Sequence, residues 1–139
     1  MITPTIYESG RLVVACLSGV VTMREIESYF YWLVDNFDTR ISPGFSQLIY
    51  ADNLQTIDVA LKDFHRLSQL NATVGRKRGS FDSAIVVPDI RYYWMAKLHK
   101  TLSRNADINT RIFRDIDEAF HWLGYRNPLE VPIASSVNE

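Results

Sequence analysis

Between positions 5 and 21 two apolar runs flank a short polar break, TIYESGRLVVACLSGVV. Ser9-Gly10 is the chemistry of a tight turn, so the flanking runs are predicted to be two antiparallel strands. The period then changes: Ile26, Phe30, Leu33 and Phe37 recur at helical spacing within VTMREIESYFYWLVDNF. Thr22, followed three residues later by Glu25, supplies a capping box at the start of that helix. After the break ISPGF, the run SQLIYAD is predicted as a third strand ending at Asp52, and a second helix from about Ile57 to Leu70 follows. NATVGRKRGSFD reads as a loop, by Gly75, Gly79 and its consecutive charges. SAIVVP is a continuous apolar run of the kind buried on both faces of a parallel sheet, closed by Pro88-Asp89. Ile90, Trp94, Leu98 and Leu102 draw a stripe that predicts a third helix over 90–104. NTRIF is a short last strand, and RDIDEAFHWLG a fourth helix with Asp115 as N-cap, Glu118 completing its box and Gly124 as its stop.

The order is therefore ββαβαβαβα. Alternation after the hairpin implies crossovers onto one sheet, so the fold class is α/β: a sandwich with a mixed, mostly parallel five-stranded sheet and four helices. Residues 1–124 form one domain, and 125–139 a tail in which Leu129, Val131 and Ile133 are the positions able to dock. The length, 139 residues, suffices for one core without metals or disulfides. Fifteen Lys and Arg against sixteen Asp and Glu provide no global field toward nucleic acid or anionic lipid, so any such binding would need a local patch, and no specific nucleic acid is expected as a partner. The single cysteine, Cys16, sits in an apolar run where a thiol behaves as a small hydrophobe. The start MITPTIYESG lacks a basic, then apolar, leader pattern, and no run reaches the roughly 18 apolar residues of a membrane span. A cytoplasmic location is the expectation.

Taken together, LSGVVTMREI, LIYAD, SAIVVP and TRIFRDIDEAFHWLG resemble the bacterial SpoIIAA-like proteins of the STAS type, over about Ile6 to Gly124. The resemblance implies the STAS fold, a non-catalytic regulatory role through protein contacts, and a distant kinship with the lipid-carrying CRAL-TRIO domains. Signalling members of that family place a phosphorylatable Ser in an Asp-Ser-Ser-Gly motif at the start of the helix after this strand. Here the region reads ADNLQTIDVAL, with no Ser between Ala51 and Leu67. Thr56 is the hydroxyl at this strand–helix junction; N-cap of the second helix is the favoured reading over phosphoacceptor, although a phosphate at a helix N-terminus is electrostatically tolerable. Asp52, with Asn53, is read as a turn former rather than as a magnesium ligand or base.

His65, His99 and His121 fall in three separate helices with no metal-ligand spacing, and His121, beside Phe120 and Trp122, is expected as a packed ring. No nucleophile elbow and no phosphate loop are present, so no catalytic residue, cofactor or metal is assigned. Two surfaces hold interest. Arg76, Lys77 and Arg78, with Arg91, Lys97, Lys100, Arg104, Arg111 and Arg114, form an anion patch if they converge, against the blander reading of a solvated charged loop. Tyr29, Tyr31 and Trp32, and Tyr92, Tyr93 and Met95, place more large apolar groups on two helices than one core stripe can bury. The excess must face outward, into a cavity or into a partner. An interaction module binding a protein partner or a second copy of itself, as a homo-oligomer, ranks first; a module for a small hydrophobic or lipid-like molecule ranks second; an enzyme ranks last.

Overall fold

The computed structural model describes residues 1–60, 62–89, 93 and 108–129, with the side chains of Asp52, Arg76 and Arg78 outside that description. Its five strands are β1 (Ile2–Tyr7), β2 (Leu12–Thr22), β3 (Ser46–Asp58), β4 (Phe81–Val86) and β5 (Ile108–Phe113), and they lie side by side in chain order. β1 runs antiparallel to β2, and every later pair is parallel. The expected mixed, mostly parallel sheet is the one observed. Its helices among the described residues are α1 (Met23–Asn36), α2 (Asp63–Arg78) and α3 (Ile116–Leu123), the last being the expected fourth helix; the helix expected over 90–104 lies outside the described residues.

The hairpin turns where Ser9-Gly10 placed it, through three successive residues with positive φ: Glu8, Ser9 and Gly10. At α1 the Thr22 hydroxyl accepts the Glu25 N–H at 3.3 Å. The Glu25 carboxylate lies 3.1 Å from the Met1 ammonium, whose hydrogen bond holds this half-buried acid below the ordinary carboxylate range. At α3 the Asp115 carboxylate accepts the Glu118 N–H at 3.0 Å, and Gly124 ends the helix at φ 84°, where a left-handed residue returns its N–H to the last turn.

Alternation along the strands divides the core into two layers. Val13 and Ala15 of β2 face α1 and α2 and pack with Phe30, Leu33, Phe37, Leu67 and Val74. Leu12 and Val14 face the other way, with Leu48, Val86 and Phe120 of α3. The sheet is thus covered on both faces. Cys16 is half-buried against the α3 layer, in keeping with a packed thiol.

Two expectations fail at the junction between β3 and α2. β3 does not end at Asp52: it continues through Asn53 and Thr56 to Asp58, paired with Ser18–Thr22 of β2. Thr56 is therefore a strand residue and caps no helix. The cause is visible in the register, which shifts between Cys16 and Ser18 and again between Gly19 and Val20, each time inserting one extra residue on β3. A bulge changes the side-chain period locally. Ala51, Leu54 and Ile57, spaced by three as on a helix, therefore reach the same cluster with Val21 and Leu17. The helix begins instead at Asp63, whose carboxylate accepts the Ala60 N–H at 3.0 Å while its own N–H donates to the Ala60 carbonyl at 2.9 Å. It then runs on through the segment expected as a loop, so that Arg76, Lys77 and Arg78 form its last turn. Burial of Phe64, Leu67, Leu70, Asn71 and Val74 along one stripe outweighs the roughly 1 kcal/mol that Gly75 costs inside a helix.

Candidate functional site

The bulged half of β3 extends past β4, which pairs only with Ser46–Tyr50. Between this extension and the two covering helices lies a cavity of about 130 Å³. β2 and β3 supply one wall, through Ala15, Val21, Gln47, Ala51 and Leu54, and Tyr29, Phe64, Leu67 and Asn71 of α1 and α2 supply the facing one. Ile2, Leu17, Ile26, Ile57 and Val59 also line it and are only half-buried, which marks the side where it meets solvent. Among the described lining residues three carry polar side-chain atoms, Tyr29, Gln47 and Asn71, and none carries a formal charge.

Those polar groups are built in. Gln47 and Ser83 are cross-strand partners of β3 and β4, and the Gln47 Nε2 donates to the Ser83 Oγ at 2.9 Å. The Tyr29 hydroxyl, carried down by α1, donates to the Gln47 Oε1 at 2.6 Å. All three are buried, as is Asn71, at 3 % exposure. A buried hydrogen bond in a chain of this kind holds the tyrosine ring in one orientation against the sheet. Trp32 stacks on that ring, centroids 6.1 Å apart and planes at 17°.

Burial pushes the Tyr29 phenol well above its ordinary value of about 10. The folded chain keeps a proton that the unfolded chain loses, so the contribution to stability is complete below about pH 10 and declines as the pH rises beyond it, by about 1.4 kcal/mol per unit. Tyr29→Phe removes this slope. In urea denaturation at about pH 9.5 and about pH 11, the native protein is expected to lose about 1 kcal/mol more than the variant over that interval, and equal losses contradict the assignment.

The aromatic positions singled out from the sequence separate. Tyr29 faces the cavity, Trp32 is half-buried behind it, and Tyr31 points to solvent at 51 % exposure. The Tyr31 hydroxyl accepts from Arg66 Nη2 at 3.0 Å, and the same guanidinium pairs with Glu27 at 3.3 Å, so this ring belongs to a bracket joining α1 to α2. Tyr93 is half-buried; Tyr92 and Met95 lie outside the described residues. Of the expected anion patch, the side chains of Arg76 and Arg78 and the whole of Arg91, Lys97, Lys100 and Arg104 lie outside the described residues, and the described members Lys77 and Arg114 stand at opposite ends of the sheet. Lys77 is exposed on the turn of α2 leading to the start of β4, whereas Arg114 lies beyond the far end of β5, donating to the Pro88 carbonyl at 2.9 Å. Arg111 lies over the Phe113 ring at 5.5 Å. His121 is exposed, not packed as expected, because Ala119 and Phe120 take the inward face of α3. Among the described residues no group of three His, Cys, Asp or Glu side chains is placed to hold a metal ion, and no helix is long and apolar enough to cross a membrane.

Sequence reasoning missed Gln47, Ser83 and Asn71. Their signal was present as polar residues interrupting otherwise apolar stretches: Gln47 in SQLIYA, Ser83 in FDSAIVV, and Asn71 on the stripe of Phe64, Leu67, Leu70 and Val74. A polar residue on a buried face needs a partner, and here two of them partner each other.

No protein-family model and no curated protein matches the chain. Among solved structures it is similar to an uncharacterized protein of the DUF3478 family from Shewanella loihica PV-4, which has a SpoIIAA-like fold. The two share 17% sequence identity and superpose with a TM-score of 0.58 over 88% of this chain and 93% of that one. A SpoIIAA-like fold is therefore the architecture of this protein, as the resemblance in the sequence implied.

Proposed function

We propose that this protein is a non-catalytic binding module for a small apolar molecule held between the sheet and helices α1 and α2. The observation that carries the reading is the cavity: about 130 Å³, with apolar walls, no charged side chain among its described lining residues and a fixed cluster of buried polar atoms. Ligand pockets combine these traits, and an apolar cavity of about 150 Å³ is sufficient to take one benzene ring. The SpoIIAA-like fold is compatible with such a role, since a sheet covered by helices on both faces offers an interlayer site. The alternative of a self-association or partner surface built from the α1 aromatics draws less support, because Tyr29 is turned inward and Tyr31 is engaged by Arg66. Among the described residues the cavity lining includes no acid, histidine or cysteine on which a catalytic reading could be built.

The test is native mass spectrometry on protein purified gently from its own host, beside the Ala51→Leu and Ile57→Trp variants. Ala51 is a small residue in the cavity wall and Ile57 stands at its half-buried side, so the first substitution fills the space and the second narrows its approach. The expected outcome is a small-molecule adduct on the native chain, reduced at least about tenfold in both variants while their folds are retained. An adduct that survives both substitutions places the binding elsewhere and overturns the proposal.

A further inference from the structure

The lining narrows the class of ligand. We infer that the cavity selects a neutral molecule of about one ring carrying a single hydrogen-bonding group, such as a hydroxyl or carbonyl, set against the Gln47 side of the cavity; this rests on the binding-module reading above.

Three observations support it. The volume, about 130 Å³, matches a single ring and excludes a long acyl chain from full enclosure. Among the described residues the lining has no Lys, Arg, His, Asp or Glu, so a carboxylate or ammonium entering it sheds water without meeting an opposite charge from them, a cost that disfavours ionised ligands at such a site. The polar atoms are not spent by their own bonding. A phenol oxygen that donates once still accepts, and a primary amide that donates once and accepts once keeps one N–H and one lone pair. Tyr29 and Gln47 bond to each other and to Ser83 in this way, at 2.6 Å and 2.9 Å, and so keep both a donor and an acceptor available at the wall. The facing layer contributes the Asn71 amide from α2, so polar lining comes from both walls while the remainder is apolar. A purely hydrocarbon guest leaves the remaining capacity of Tyr29 and Gln47 unmet, and a guest with one neutral polar group meets it.

The experiment compares four one-ring probes by NMR titration of the full chain at neutral pH: toluene, phenol, benzoate and benzylammonium. Phenol is expected to bind about five- to tenfold tighter than toluene, the gain of one good hydrogen bond. The two ions are expected to bind at least about a hundredfold more weakly than phenol. The triple variant Tyr29→Phe, Gln47→Met, Ser83→Ala replaces the whole polar chain together and so leaves no widowed partner within it. It should retain toluene binding and lose the preference for phenol. Gln47→Met alone, a smaller change, should reduce the preference if the triple variant does not fold. Toluene binding as tightly as phenol in the native protein, or a preference that persists in these variants, overturns the inference and leaves the apolar cavity standing. Failure of every probe to shift resonances of the cavity wall overturns the binding-module reading itself.

Discussion

Alanine at position 10 is expected to destabilise the fold by about 3 kcal/mol or more, although it adds a single methyl group. Gly10 holds φ at +92°, and a Cβ built there would overlap the Arg40 carbonyl oxygen and lie 3.3 Å from the Ser42 nitrogen. Both neighbours are backbone atoms and cannot swing aside. The close approach has a structural purpose: the Ser42 N–H donates to the Gly10 carbonyl at 2.9 Å, tying the β1–β2 turn to the segment that leads into β3. The left-handed φ alone accounts for about 1 kcal/mol, and the clash supplies the rest. Urea denaturation of Gly10→Ala measures the sum, and a loss of only about 1 kcal/mol would show that the two segments part without cost.

Phe45→Ala is expected to cost about 3 to 5 kcal/mol. Phe45 is fully buried, stacks on Phe81 with centroids 4.5 Å apart and tilts against Phe37 at 5.8 Å. Removing the ring opens space between the starts of two adjacent strands and the end of α1, where backbone constraints on both sides limit collapse. Phe45 does not line the ligand cavity, so the folded fraction of the variant should keep native affinity for an apolar probe. Denaturant midpoints and a binding titration on the same sample check both halves. A loss below about 2 kcal/mol would mean that this part of the core repacks freely.

What the sequence made legible was local. The hairpin at Ser9-Gly10, the Thr22 cap with Glu25, and the Asp115, Glu118 and Gly124 signals around α3 each rest on neighbours a few residues apart, and all stand in the structure. The bulged half of β3 was not legible, because Ala51, Leu54 and Ile57 carry a helical spacing and only pairing with β2 reveals the two inserted residues. The cavity shared that fate: its wall depends on the same bulges. Tyr29 was singled out from excess aromatic content alone, and the structure places it on the cavity. Its neighbour Tyr31, chosen on the same grounds, serves instead to join two helices. Composition can reveal that some rings must leave the core stripe, but it cannot tell which of them find a cavity and which a guanidinium.

A crystal structure of the native protein exposed to toluene vapour tests directly whether the cavity admits an apolar guest. One guest molecule is expected between Ala51 and Leu54 on the sheet and Leu67 on α2, beside the Tyr29–Gln47 hydrogen bond, and none in crystals of Ala51→Leu. Native crystals with α1 and α2 closed onto the strands and no guest between the layers would contradict that expectation.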